Sequence, residues 1–241
     1  MMYLGACCRR TLIIRRRALC YNAASMPEPK FKPPKYFAIE GPIRVGKSTL
    51  ARILADRLHA RRIFDCDDNP FLTDFYEEKA GSAFRAQMFF LMERHQRLLE
   101  VDRDASPSPI VSDFLFEKDK IFAYVNLDNE ELKLYERYYE MLASSLAVPD
   151  LVIYLQAKPE VLKQRISKKG AREESNISPE YLETIAQAYE HFFFHYSASN
   201  LLVVDTSDID FVERNADLQE LLRRLKQLVK GTKYFLPLGP E

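Results

Sequence analysis

From Tyr36 onward, short and nearly continuous apolar runs alternate with longer segments whose apolar residues recur every three or four positions. The first pattern reads as buried strands and the second as amphipathic helices. Strands are predicted over Tyr36–Glu40, Arg62–Phe64, Pro109–Ser112, Asp150–Leu155 and Leu201–Val204. Helices are predicted over Ser48–Ala60, Ala83–Arg103, Asn129–Ala147, Pro159–Lys168, Pro179–His195 and Asp217–Leu228. The two longest carry clear stripes: Phe84, Met88, Leu91 and Leu98 on one, and Leu132, Tyr135, Tyr139, Leu142 and Leu146 on the other. Strands without polar alternation are covered on both faces, as in parallel sheets. Their alternation with helices predicts an α/β fold with a parallel sheet between helical layers. Turn chemistry at Asp67–Pro70 and Ser106–Pro109 separates the elements. No internal repeat is visible.

Composition narrows the class. The chain has 241 residues, 47% hydrophobic and 29% charged, as a globular protein does. No apolar stretch reaches the ~18–20 residues of a membrane span. Four cysteines at this length form neither a disulfide framework nor a zinc pattern. A net charge of zero argues against a broad nucleic-acid surface. That zero is an average. Residues 1–26 hold five arginines and no acid, so the remainder carries five more acidic than basic groups. This leader reads either as sequence upstream of a true start at Met26 or as an Arg-rich transit segment. The first implies the cytoplasm and the second the mitochondrial matrix. Residues 27–35 (PEPKFKPPK) read as a linker. Residues 1–34 are expected to be disordered and 35–241 to form one domain. Three cysteines lie in the leader, which leaves Cys66 alone in a domain suited to a reducing compartment.

The chemistry begins at Gly41-Pro42-Ile43-Arg44-Val45-Gly46-Lys47-Ser48, which fits G-x-x-x-x-G-K-[ST] between a predicted strand and a predicted helix. Glycines let backbone N–H groups turn toward phosphate oxygens, and the helix N-terminus adds partial positive charge. Lys47 is expected to reach the β- and γ-phosphates, and Ser48 to ligate Mg²⁺. Thr49 follows in the first helical turn, and Arg44 adds a cation in the loop or points away from it. The loop does not name the phosphoryl acceptor, because switches, motors and small-molecule kinases share it.

Five blocks together resemble the deoxynucleoside kinase family, especially its bacterial-type deoxyadenosine and deoxyguanosine kinases. They are Tyr36–Leu50, Asp68–Tyr76 (DNPFLTDFY), Val111–Ala123 (VSDFLFEKDKIFA), Leu151–Ala157 and His191–Tyr196. The resemblance implies a five-stranded parallel sheet of the P-loop kinase fold, with a small helical lid. It implies transfer of the γ-phosphoryl of ATP, with Mg²⁺, to the 5′-hydroxyl of a deoxyribonucleoside. Gln87, Arg94 and Asp119 would hold the base, which suits a purine or a cytosine. A purine is the favoured substrate and deoxycytidine the other fit. Tyr76 and Glu174 would meet the sugar 3′-hydroxyl. Phe71, Phe75, Phe84 and Phe116 are candidates for stacking on the base or for core packing. Arg165, Lys169 and Arg172 are the lid cations, and Asp210 and Phe211 resemble the loop around the donor's adenine. A homodimer is expected, with the Tyr135/Tyr138/Tyr139 stretch supplying apolar area.

The pattern also departs from the family. Where similar kinases place the glutamate that accepts the 5′-hydroxyl proton, this chain has Phe64. Asp65 is the expected base, with Asp67 second, and Asp113 the acid expected to hold Mg²⁺. The position after that acid, often Arg in the family, is Phe114. The lid has Lys169-Gly170-Ala171 where the family has Arg-Gly-Arg. Phe64 at the base position, Arg44 in the loop and Ala171 in the lid keep a second reading open, a nucleotide-binding subunit with impaired chemistry. A nucleoside monophosphate kinase ranks third, because no extra arginine cluster awaits a second phosphate.

Overall fold

The computed structural model describes residues 34–101, 106–169, 177–209, 211, 214–227 and 230–235. Among the described residues six strands form one sheet: β1 (Tyr36–Glu40), β2 (Arg61–Ile63), β3 (Ile110–Ser112), β4 (Leu151–Gln156), β5 (Asn200–Asp205) and β6 (Thr232–Phe235). Their order is β2-β3-β1-β4-β5-β6, and every pairing is parallel. The expected sheet of five strands is thus corrected to six. β6 escaped the sequence pattern because three of its four residues are exposed; only Phe235 is buried.

Alternate residues of the central strands face opposite layers. Phe37, Ile39, Ile153, Leu155, Leu202 and Val204 pack in a cluster that includes Leu50 and Leu54 of α1 (Lys47–Leu58), Leu162 of α6 (Pro159–Lys169) and Leu221 of α8 (Asn215–Gln227). On the other face Ala38, Val152, Tyr154 and Val203 meet Ile121 of α4 (Lys118–Asn126) and Ile185, Tyr189 and Phe193 of α7 (Pro179–Phe194). A third cluster joins Tyr36 and Ile110 to Leu91 and Leu98 of α3 (Ser82–Leu99) and to Tyr135 and Tyr139 of α5 (Asn129–Ala143). The last helix to place, α2 (Leu72–Tyr76), is a five-residue turn.

Local chemistry sets the helix ends. Asp128 caps α5 by accepting the Glu130 and Glu131 amides, and Glu131 reaches back to complete a capping box. Ser178 caps α7 ahead of Pro179. α5 stops at Ala143, short of the predicted Ala147, where the Ser144 and Ser145 hydroxyls donate to the Met141 and Leu142 carbonyls. Leu146 and Ala147 still pack on the core, which explains why the apolar stripe outlasts the helix. The sequence pattern shows neither α2, which is too short for a period, nor α4, whose buried face begins with Lys118 and Asp119 in place of apolar residues.

Tyr135 and Tyr139 are buried in their own subunit's core, so the expectation that they supply dimer area is corrected. The exposed large apolar residues of these helices are Leu134, Tyr138 and Met141 on α5 and Met92 and Leu99 on α3.

The Tyr154 and Phe193 rings stack with centroids 4.0 Å apart, locking α7 to the sheet. Phe193→Ala should cost roughly 3–5 kcal/mol, as large aromatic truncations in cores do. Urea unfolding of the two proteins would measure it.

Candidate active site

The site lies beyond the carboxyl ends of β1, β2 and β3, where open α/β sheets bind ligands. The loop leaving β1 cannot accept a side chain at Gly41. A Cβ there would come within 2.2 Å of the Leu155 carbonyl oxygen. Gly46 takes a left-handed conformation, φ 112°, and serves as the N-cap of α1. No side chain caps that end and no acid sits in its first turn, which leaves its amides for an anion. Lys47 Nζ donates to the Gly41 carbonyl at 2.7 Å and the Pro42 carbonyl at 3.0 Å. Burial, with some repulsion from Lys118, pulls the Lys47 ammonium down to about 8, against the attraction of Glu40, Asp65 and Asp113. Ser48 is half-buried and Thr49 exposed in the same turn.

Arg44 adopts φ 62°, uncommon outside glycine, and lines the pocket beside the loop. Val45 is buried, and its carbonyl accepts from Arg165 Nη1 at 3.1 Å. Arg165 Nη2 also donates to the Thr206 carbonyl at 2.8 Å, so this α6 arginine ties the loop to the end of β5. Lys169 is the last residue of α6. Phe211 packs against the core cluster around α1. Glu174, Arg172 and Asp210 lie outside the described residues.

Sequence reasoning missed Glu40. It is fully buried at the end of β1, and its carboxylate accepts from the Gly41 amide at 2.9 Å, the Leu115 amide at 2.7 Å and the Tyr189 hydroxyl at 3.0 Å. One side chain therefore fixes the phosphate loop, the segment after β3 and α7 together. Its signal was present in the sequence: a charged residue closing an otherwise apolar strand.

A cavity of about 400 Å³ opens beside the loop. Gln87 and Arg94, two turns apart on one face of α3, line it, and so does Tyr76 at the end of α2. Asn69 sets that short helix: its side chain donates to the Ala86 carbonyl and accepts the Phe71 amide, both at 2.9 Å. Of the four candidate stacking rings only Phe75 reaches the cavity. Phe71 packs edge-on against Phe89, and Phe84 and Phe116 belong to the core. Phe90 and Phe122 supply rings that were not anticipated; Arg94 lies over the Phe90 ring at 4.5 Å.

A buried charge cluster closes the cavity floor. Arg94 donates through Nε and Nη2 to the two Asp65 oxygens, at 2.9 and 3.1 Å, and through Nη1 to Asp119. Asp119 is fully buried, behind the cavity wall. It also accepts from Gln87 Nε2 and from the Tyr135 hydroxyl, so it orients the two side chains that do face the cavity. With Nε2 committed to Asp119, Gln87 has its carbonyl oxygen left for a ligand's donor. Burial pushes the Asp119 carboxyl up, despite Arg94 and Gln87. Burial would lift Asp65 too, but Arg94 and Lys118 outweigh it and hold that carboxyl well below the usual carboxylate range. The Asp65 amide donates to Asp113 Oδ1 at 2.7 Å, which places Asp113 beside it at the end of β3. Phe64 packs on the core around α1, and Asp67 lines the cavity from an exposed position.

The deoxynucleoside kinase family model matches residues 37–230, most of the chain. The chain belongs to the deoxynucleoside kinase family. Among relatives of that family, deoxyguanosine kinase of Bacillus subtilis (strain 168) is 31% identical over 201 residues, covering 80% of this chain and 97% of the relative. Deoxyadenosine kinase of Dictyostelium discoideum is 28% identical over 211 residues, covering 85% and 83%. The solved structure of M. mycoides deoxyadenosine kinase, with products dCMP and a flexible dCDP bound, superposes with a TM-score of 0.69 at 26% identity; the match covers 80% of this chain and all of that one. Family membership gives the reaction class, phosphoryl transfer to a deoxynucleoside.

The Lys47 ammonium attracts phosphate only while protonated. Because its value is pulled down to about 8, triphosphate affinity should be flat below that pH. Above it, affinity should fall by about tenfold per pH unit until the value of the bound form is reached. Calorimetric titration between pH 7 and 10 would measure it.

Proposed function

We propose that the protein transfers the γ-phosphoryl of ATP to the 5′-hydroxyl of a purine deoxyribonucleoside in nucleotide salvage. The observation that carries this reading is the wall shared by loop and cavity, to which the loop gives Ile43 and Arg44 and the facing elements give Gln87, Arg94 and Asp65. The names of the relatives support a purine. The Gln87 oxygen suits an exocyclic or ring N–H of the base, and the spare N–H groups of Arg94 suit a ring or carbonyl acceptor. Deoxycytidine offers the same two kinds of group and stays in the comparison.

In this reading Tyr76 meets the sugar, and Glu174 is its assigned partner. The loop amides, Lys47, Ser48 and Thr49 hold the triphosphate, and Arg165, Lys169, Asp210 and Phe211 are assigned to the donor by the family resemblance. Asp65 accepts the hydrogen bond of the attacking 5′-hydroxyl. A carboxylate held ionised is a weak base, but a loose phosphoryl-transfer transition state asks more for orientation than for basicity. Mg²⁺ fits the donor set, because Ser48 and Asp113 offer hard oxygens. Among the described residues no group of three or more His, Cys, Asp or Glu could hold a metal alone, as suits an ion that shares its shell with phosphates and water. When bound it would neutralise charge on the phosphates. Residues 35–241 are read as one kinase domain, and the free, buried Cys66 suits the cytoplasm. We assign a homodimer to the exposed apolar stripe of α3 and α5.

With ATP and Mg²⁺, the four deoxynucleosides should show turnover fastest with deoxyguanosine or deoxyadenosine. Asp65→Asn should lower kcat by roughly 10²–10⁴-fold, the usual worth of a positioned acid–base group, with Asp67→Asn near wild type. No turnover on any of the four would refute the reading. For the dimer, Leu134→Glu with Met141→Glu should give a monomer by light scattering.

A further inference from the structure

Lys118 belongs to the first turn of α4 and is 5% exposed. Two general facts make that position costly. Lysine is almost never fully buried without a partner, and a cation is disfavoured at a helix N-terminus. Its ammonium is ion-paired with Asp65 Oδ2 at 2.5 Å. Fold stability alone gives no reason to keep such a pair, since well-packed apolar residues often replace a buried pair without loss. Asp65, moreover, already has a bidentate partner in Arg94.

The location supplies a reason. Lys118 lines the cavity, and its Asp65 partner is tied through Asp113 to the strand next to the phosphate loop. Its charge is also felt at Lys47, whose ammonium it pulls down. The residue after Asp113, Phe114, is fully buried in the core and brings no cation there.

Resting on the kinase reading above, we infer that Lys118 is a catalytic residue that donates from its ammonium to a non-bridging oxygen of the transferring γ-phosphoryl. The bond from the nucleoside O5′ to Pγ forms as the bond from Pγ to the β,γ-bridging oxygen breaks. That bridging oxygen leaves with its electron pair on ADP. The 5′-hydroxyl stays hydrogen-bonded to Asp65 while the new bond forms, and its proton then goes to solvent. Lys118 keeps its own protons and balances charge that spreads over the phosphoryl oxygens. Its pairing with Asp65 places acceptor and cation side by side before substrate arrives.

The test uses the full chain, with wild-type turnover on the four deoxynucleosides measured first. A wild type without turnover refutes the kinase reading itself. With an active wild type, Lys118→Met should lower kcat by about 10²–10³-fold, the loss seen when one charge-stabilising donor is removed. Nucleoside Kd should move by less than about threefold, and Lys118→Arg should recover most of the lost rate. Binding of ADP with aluminium fluoride and nucleoside should weaken in parallel with kcat. The double variant Lys118→Met/Asp65→Asn removes both charges together, and covers the case in which the single variant does not fold. On the Asp65→Asn background its kcat should still fall by at least tenfold. A kcat within about threefold of the matching background overturns the inference. So does a loss confined to Kd or to the ratio between deoxynucleosides, which would make Lys118 a base reader.

Discussion

The site depends on one arrangement of buried charge. Arg94 and Lys118 bring two cations to Asp65, and Arg94 also holds Asp119. Removing one partner of such a set strands a charge in the interior, at a typical cost of about 3–5 kcal/mol. The cluster therefore fixes α3, α4 and the chain leaving β2 with respect to one another. It also makes polar geometry exact where a ligand needs it. Gln87 and Arg94 cannot rotate freely, because Asp119 holds both from behind.

Glu40 does for the phosphate loop what Asp119 does for the base pocket. A carboxylate with three donors and no exposure joins β1, the segment after β3 and α7. Burial and Glu40 together raise the Tyr189 hydroxyl far above its ordinary value, so it remains a donor throughout the physiological range. The two halves of the site then share a frame, since the Leu115 amide that Glu40 holds lies three residues before Lys118.

Much of this was legible in the sequence, for physical reasons that differ by element. β4 and β5 are apolar on both faces, as covered strands are, and too short for a buried helix. The phosphate loop announces itself because its glycines and lysine are irreplaceable at fixed spacing. Gln87 and Arg94 could be paired because seven residues make two helical turns. Lys118 is not legible in the sequence, because a lysine among Glu117, Asp119 and Lys120 looks like a solvated helix end; only the fold shows that it turns inward. The sequence groups Asp119 with Gln87 and Arg94, and its full burial behind those two side chains is visible only in the fold. β6 was invisible because an edge strand with three exposed residues has no apolar run to betray it.

The resting contacts of Lys47 have a consequence for how the loop meets a nucleotide. Its ammonium already closes the turn by donating to the Gly41 and Pro42 carbonyls. The loop's curvature is therefore built by protein groups alone, and phosphate oxygens compete with two carbonyls for the same protons. Binding at this point is an exchange of partners rather than the ordering of a slack segment. The conformational entropy has been lost in folding, and recognition is left with a difference between two sets of hydrogen bonds.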